Sequence, residues 1–367
     1  MNYDGRGTIN SVTTASAIPD DQWSALVPHQ SVYATKQWYL ATERHPGIQP
    51  LYLTYRDAQG KMSGLARICY AATPYMQSLD PVHVLGDVLQ ASTPEKWWPC
   101  LFVGNRGNPN ELIAANGAKW GDGHPAIGAL ATAIREVAAM HDLPIVSMYM
   151  PERDARLLQE ALGPGAIRLK SGTNSELDTR YTSMDDYLGR LSSSRRYAMR
   201  KEMRRFWNAG YSVTIGNLAD SLSEIAPLIS NVDRKHDAPI STEQRRAALE
   251  QQAQLLSDRS VVHLCRNPKG ELVACSLMYR NGTALCAPHV GIDYRRVQDS
   301  FEYFNVYIYL PLGYAIVKGV ASINQGFITE AKRRRGARPV PVYSVLWRSD
   351  WPTKDVTERA AKWNLQE

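Results

Sequence analysis

Apolar positions recur along this chain with two different periods, and the two alternate. Residues 51–55 and 63–70 read as paired strands around Asp57-Ala58-Gln59-Gly60, a turn whose Asp and Gly accept the dihedrals a hairpin needs. Loop and helix precede them over 23–40, stopping at Pro46-Gly47. A short apolar run at 99–104 is a further strand. From 125 to 141 the period becomes helical, with Ile127, Leu130, Ile134, Val137 and Ala138 on one stripe. A strand at 144–150 and a helix through Leu162 follow, ended by Gly163-Pro164-Gly165.

After a polar break at 170–176 the order repeats. Helices are expected at about 185–209, 218–236 and 242–257. Strands are expected at 261–265, 271–279 and 283–289, with turns at Asn267-Pro268-Lys269-Gly270 and Asn281-Gly282. A long helix then starts at Asp299, with Phe301, Phe304, Ile308, Leu312, Ala315 and Ile316 on its apolar face. Tyr303, Tyr307, Tyr314 and Lys318 fall mostly off that face, and Gly319 is its stop. A short strand at 321–326, a helix at 327–335 ending in Lys332-Arg333-Arg334-Arg335, and a last strand at 340–347 complete the pattern. Cations in a last helical turn complement the helix dipole.

The pattern predicts a mixed α/β (α+β) protein of two similar halves, each a mostly antiparallel sheet flanked by helices. The expected divisions are a disordered leader at 1–18, domains at 19–170 and 171–349, and a peripheral charged tail at 350–367. A length of 367 residues suits two domains. No run of eighteen apolar residues predicts a membrane span, and the polar N-terminus lacks a secretory signal, so a cytoplasmic protein is expected. Five scattered cysteines without CxxC spacing argue for reduced, buried thiols, and no metal site is expected. The absence of GxGxxG and GxxxxGK[ST] argues against dinucleotide and P-loop chemistry.

The net charge of +6 matters through its distribution. Between 190 and 207, Arg190, Arg195, Arg196, Arg200, Lys201, Arg204 and Arg205 are offset only by Glu202. Met199, Met203 and Phe206 share the opposite face. An ordinary solvated face mixes signs, and arginine suits forked phosphate contacts, so this helix is a candidate polyanion ridge.

The order Ser192-Ser193-Ser194-Arg195-Arg196-Tyr197, Arg200-Lys201-Glu202-Met203-Arg204-Arg205-Phe206, then Phe301-Glu302-Tyr303-Phe304-Asn305 and Lys332-Arg333-Arg334-Arg335-Gly336, resembles the FemABX-like peptidoglycan aminoacyltransferases. These belong to the GNAT acyltransferase superfamily, and the resemblance implies two tandem GNAT-like domains. It implies transfer of an amino acid from aminoacyl-tRNA to an amine, with no tightly bound cofactor. The family's lysine in a C-terminal F-K-x-x-F-G segment, associated with transition-state stabilisation, matches Lys332, with Ala331 where the family has phenylalanine.

Aminolysis of an ester requires a neutral amine, a donor for the developing oxyanion, and attack geometry. Lys332 is expected to stabilise the oxyanion or leaving group, and His289 to relay a proton. Glu302, Asn305 and Tyr307 are expected to bind the acceptor. Arg195, Arg196, Arg200, Lys201, Arg204, Arg205, Arg333, Arg334 and Arg335 are expected to contact tRNA phosphates. The implied partners are charged tRNA and an amine acceptor, a small natural-product amine before a cell-wall precursor, with no DNA, in a monomer or homodimer. Two other readings stand beside this one: a GNAT N-acyltransferase using acyl-CoA, and a non-catalytic RNA-binding module.

Overall fold

The computed structural model describes residues 2–3, 7–27, 31–43, 49–74, 76–89, 97–105, 107–114, 125–236, 238, 240–351 and 354–365. They form two compact units, Met1–Gly172 with Pro341–Glu367, and Thr173–Val340. The first unit begins with β1 (Asn2–Tyr3), β2 (Gly7–Val12), α1 (Asp20–Leu26), α2 (Lys36–Glu43), β3 (Gln49–Asp57) and β4 (Met62–Ala71). It continues with α3 (Pro81–Leu89), β5 (Cys100–Val103), β6 (Ile113–Ala114), α4 (Pro125–Met140), β7 (Ile145–Pro151), α5 (Glu152–Leu162) and the start of β8 (Ala166–Asp178). Strands β2-β3-β4-β5-β7 are neighbours in that order, antiparallel except for the parallel β5–β7 pair.

The second unit takes the end of β8, then α6 (Met184–Gly189), α7 (Ser193–Asn208), β9 (Ser212–Gly216), α8 (Leu218–Lys235) and α9 (Thr242–Leu256). Next come β10 (Ser260–Arg266), β11 (Leu272–Asn281), β12 (Ala284–Ile292), a composite helix with α10 (Glu302–Phe304) and α11 (Leu310–Val317), β13 (Ser322–Phe327) and α12 (Glu330–Arg334). Its sheet order is β8-β13-β12-β11-β10-β9. The chain then returns to the first unit through β14 (Arg338–Trp347), which pairs with β7, and α13 (Lys354–Asn364). No helix of the described residues is long and apolar enough to cross a membrane.

Equivalent local chemistry turns the main hairpin of each unit. Asp57 Oδ1 accepts from the backbone N–H of Gln59 (3.0 Å) and Lys61 (2.9 Å), and Asn267 Oδ1 accepts from Lys269 (3.0 Å) and Glu271 (3.1 Å). Gly60 and Gly270 supply the positive φ that each turn needs (78° and 79°). Ser241 and Gln244 close a reciprocal capping box at the start of α9.

The structure corrects four expectations. Residues 7–12 are a strand rather than a disordered leader, pairing with β3 while burying only Ile9. The polar break at 170–176 is the middle of β8, where Asn174 and Ser175 are buried. The helix expected at 185–209 is two helices, and β9 follows where no strand was expected. The tail is not peripheral: Val356 and Ala360 are buried, and the Asn364 side chain bonds the backbone of Arg168 and Lys170 at 2.8 Å each. The stop expected at Pro46-Gly47 lies outside the described residues. All five cysteines are buried, as expected, and none is in a disulfide.

One buried ion pair joins α7 to the end of α12. Arg335 Nη2 reaches both oxygens of Glu202 at 2.7 and 2.8 Å, its Cζ lies 3.3 Å from the Phe304 ring centroid, and its Nε reaches the Tyr309 hydroxyl at 2.7 Å. The side chains are 9% and 12% exposed, so removing one partner strands a desolvated charge. Glu202→Gln is expected to lower unfolding free energy by about 3–5 kcal/mol, read by urea titration. Glu202→Leu with Arg335→Met is expected to recover most of that loss, and a single-variant loss below about 1 kcal/mol would contradict the brace.

Candidate active site

The composite helix is irregular for a reason legible in its residues. Between α10 and α11, residues 305–309 form a π-helical turn. Pro311 has no N–H to offer the Tyr307 carbonyl, one α-helical step back. Gln325 Nε2 donates to that carbonyl instead, at 3.0 Å. The widened turn is buried throughout, so Tyr307 points inward rather than off the apolar face. Such π-turns occur often at functional sites.

Tyr307 enters the place where two strands separate. Strands β12 and β13 pair in parallel only from Ala284↔Ser322 to Cys286↔Asn324. Beyond that point the Tyr307 hydroxyl sits between Ala287 O (2.7 Å) and Gln325 O (3.1 Å). Lys332, on α12, donates from Nζ to Gln325 O at 2.5 Å and Phe327 O at 2.8 Å. Thr329 caps α12 by accepting from the Lys332 N–H, which fixes the lysine on its helix. Carbonyls left unpaired by the separation are thus satisfied by one phenol and one ammonium.

Lys332 is 6% exposed, with Nζ 5.5 Å from the Tyr307 ring centroid. Burial pushes its pKa from the ordinary lysine value down to about 8. An ammonium has three donors, and two are used here. Lys332 and Tyr307 line a cavity of about 290 Å³ with Val232, Lys235 and His236 of α8, Val290 and Ile292 of β12, and Tyr294 and Tyr303. Aromatic and aliphatic walls with cationic groups, and no carboxylate among these lining residues, suit a carbonyl or another electron-rich group.

The structure brings Lys332 and Tyr307 together in one cavity and gives several other expected site residues internal partners. His289 does not line the cavity, and burial pushes its pKa down to about 3, far from that of a useful proton acceptor. Glu302 is engaged internally: it accepts from the Tyr211 hydroxyl (2.5 Å), Gln298 N–H (2.8 Å) and Ser300 N–H (2.9 Å). Asn305 Nδ2 donates to Phe301 O at 2.9 Å. Both are buried and brace the helix start. Arg335 is the buried partner of Glu202. Arg333 and Arg334 are exposed beside Glu330.

Along α7, Arg195, Arg200, Lys201, Arg204 and Arg205 are exposed and Arg196 is half-buried. Arg200 meets Asp185 at 3.0 Å, Arg196 reaches Gly189 O at 3.5 Å, and the Arg205 guanidinium lies 5.5 Å from the Phe301 ring centroid. Lys235, His236 and Tyr294 were not singled out in the sequence, and Tyr303 was named only as lying mostly off the apolar face of its helix. Pro311 inside an apolar helix was the available signal for the irregular turn.

The chain belongs to the FemAB-like family, described as peptidoglycan biosynthesis/recognition, whose model matches residues 118–362, more than half of its length. It is thereby an amide-forming transferase of the acyltransferase type. Among solved structures it is similar to FemX, with a TM-score of 0.64 at 11% identity over 92% of this chain and 96% of that one. It is also similar to the C-terminal domain of a putative lysylphosphatidylglycerol synthetase from Agrobacterium fabrum, with a TM-score of 0.54 at 11% identity over 93% and 94% of the two chains. A tandem GNAT protein from the clavulanic acid biosynthesis pathway gives 0.51 at 12% identity over 95% and 100%. These likenesses establish a tandem GNAT-type fold. No curated protein matches the chain by sequence.

The buried ammonium sets a sign for pH dependence. An unfolded lysine titrates near ~10.4, so between about pH 8 and that value the unfolded chain binds more protons. Stability relative to Lys332→Met is therefore expected to rise as pH increases from about 8 toward ~10, in urea unfolding at matched ionic strength. A flat or falling difference would contradict the desolvated ammonium.

Proposed function

We propose that the chain is an aminoacyl-tRNA-dependent aminoacyltransferase that forms an amide on an amine acceptor. The cavity at Lys332 is its transfer site and the exposed face of α7 its tRNA ridge. The carrying observation is Lys332 itself: a buried ammonium fixed by two carbonyls, with a donor left over, in a cavity whose lining holds no carboxylate.

The acceptor amine attacks as the neutral base, and the ester carbonyl becomes an oxyanion. The remaining N–H of Lys332 stabilises that oxyanion, and the burial that lowers its pKa strengthens the contact by excluding water. As the intermediate collapses, the amide C–N bond persists and the C–O bond to the carrier breaks. The proton released by the amine leaves on the departing oxygen. No covalent enzyme intermediate is needed. The family description supports a cell-wall precursor as acceptor, and a small natural-product amine fits the same chemistry.

The acyl-CoA reading draws less support. The cations around Gly336 that could meet CoA phosphates are engaged: Arg333 and Arg334 with Glu330, Arg335 with Glu202, and Arg338 with Glu176 at 2.9 Å. The α7 face carries the larger unoffset positive charge. A non-catalytic RNA-binding module would leave the Lys332 cavity without a role.

Product formation from charged tRNA and a mixture of amines, followed by mass spectrometry, is expected to be abolished by RNase and unsupported by acetyl-CoA. RNase-resistant turnover with acetyl-CoA would overturn the tRNA reading. Lys332→Met is expected to lower kcat about 10²–10³-fold, the range for losing one oxyanion donor. Wild-type kcat, measured under conditions where chemistry limits, is expected to fall as pH rises through about 8, and His289→Gln to leave that profile in place.

A further inference from the structure

The outward face of α7 carries aromatic rings as well as cations. Tyr197 is 72% exposed and Trp207 is 49% exposed. At 3.6 residues per turn, Tyr197, Arg200, Arg204 and Trp207 fall within an arc of about 80°. Met199 and Phe206, both buried, lie on the opposite side. A single exposed aromatic is ordinary. Here two flank a pair of arginines along one line. The Trp207 ring meets buried Phe206 edge-on at 5.0 Å, so it is anchored against the unit rather than loose. The helix's one acid, Glu202, is turned inward to Arg335.

We propose that this stripe stacks unpaired bases of a single-stranded RNA segment on Tyr197 and Trp207, while Arg200, Lys201 and Arg204 take its phosphates. The inference rests on the reading of α7 as the tRNA ridge and names the part of the RNA that meets it. Cations alone would suit any polyanion, but flat exposed rings suit a partner with open π-faces. A duplex hides those faces in its own stack and presents phosphates to a straight helix. An anionic membrane would draw on apolar side chains at the exposed face, whereas Met199, Met203 and Phe206 pack within the unit. The two rings stand ten residues apart, about 15 Å along the axis. At a rise of ~3.4 Å per stacked nucleotide, that spans about four to five bases.

Fluorescence anisotropy of the full chain with a labelled eight-nucleotide single-stranded RNA and an RNA duplex of eight base pairs tests this directly. Tyr197→Ala with Trp207→Ala is expected to weaken single-strand binding about tenfold or more and to leave duplex binding within about twofold. Tyr197→Phe with Trp207→Phe is expected to restore single-strand binding, and Arg200→Ala with Arg204→Ala to weaken both. Equal losses for single strand and duplex would overturn the stacking role. Binding to phosphatidylserine vesicles through the same two rings, without binding to the oligonucleotide, would assign the stripe to a membrane instead. Transfer from charged tRNA is measured in parallel. Ring-dependent single-strand binding without tRNA-dependent transfer would overturn the function and keep the stripe. Transfer and single-strand binding both unaffected by the alanine pair would overturn the stripe and keep the function.

Discussion

A positive charge held where water is excluded governs the architecture around the site. Lys332 bonds Gln325 O and Phe327 O at the point where β12 and β13 separate, and burial brings its pKa to about 8. A buried ammonium survives only when its donors are met, and these carbonyls meet two of them. The strands in turn tolerate the separation because Lys332 and the Tyr307 hydroxyl supply the missing donors. Strand divergence, π-turn and lysine are therefore one device. Pro311 frees the Tyr307 carbonyl, Gln325 takes it, and the same Gln325 presents its own carbonyl to the lysine.

That device is supported from the second basic element. Glu202 on α7 and Arg335 after α12 form a pair buried against Phe304 and Tyr309. The pair connects the ridge of exposed cations to the helix that carries Lys332. It also turns the one acid of α7 itself inward, away from the ridge. A single acidic residue thereby serves the packing inside and the electrostatics outside.

Much of the fold was legible because burial imposes periodicity. The β3–β4 hairpin, α4, β7 and the β10–β11–β12 meander all carry apolar alternation or a helical stripe, bounded by turn residues. What escaped lacks an apolar alternation or stripe of its own. Strand β2 buries only Ile9, β9 is an edge strand with a mostly exposed pattern, and β8 passes through polar residues. Helix α13 is attached by Trp363 and Asn364 to backbone atoms of Lys170 and Arg168, about 190 residues earlier, which no local pattern encodes. At the site, the sequence picked out Lys332 and Tyr307, which share one cavity, but not the internal partners of Glu302, Asn305 and Arg335, which are distant in the chain or backbone. A charge in sequence does not announce the group that neutralises it, as the 133-residue separation of Glu202 and Arg335 makes plain.

The protonation state of the Lys332 amino group and its accessibility can both be measured directly. Competitive labelling of the folded protein with acetic anhydride across pH, read at Lys332 by mass spectrometry, measures both. Half-maximal reactivity is expected near pH 8, with protection by a non-hydrolysable aminoacyl-RNA mimic. Titration near the ordinary lysine value of ~10.4, with labelling unchanged by the mimic, would contradict it.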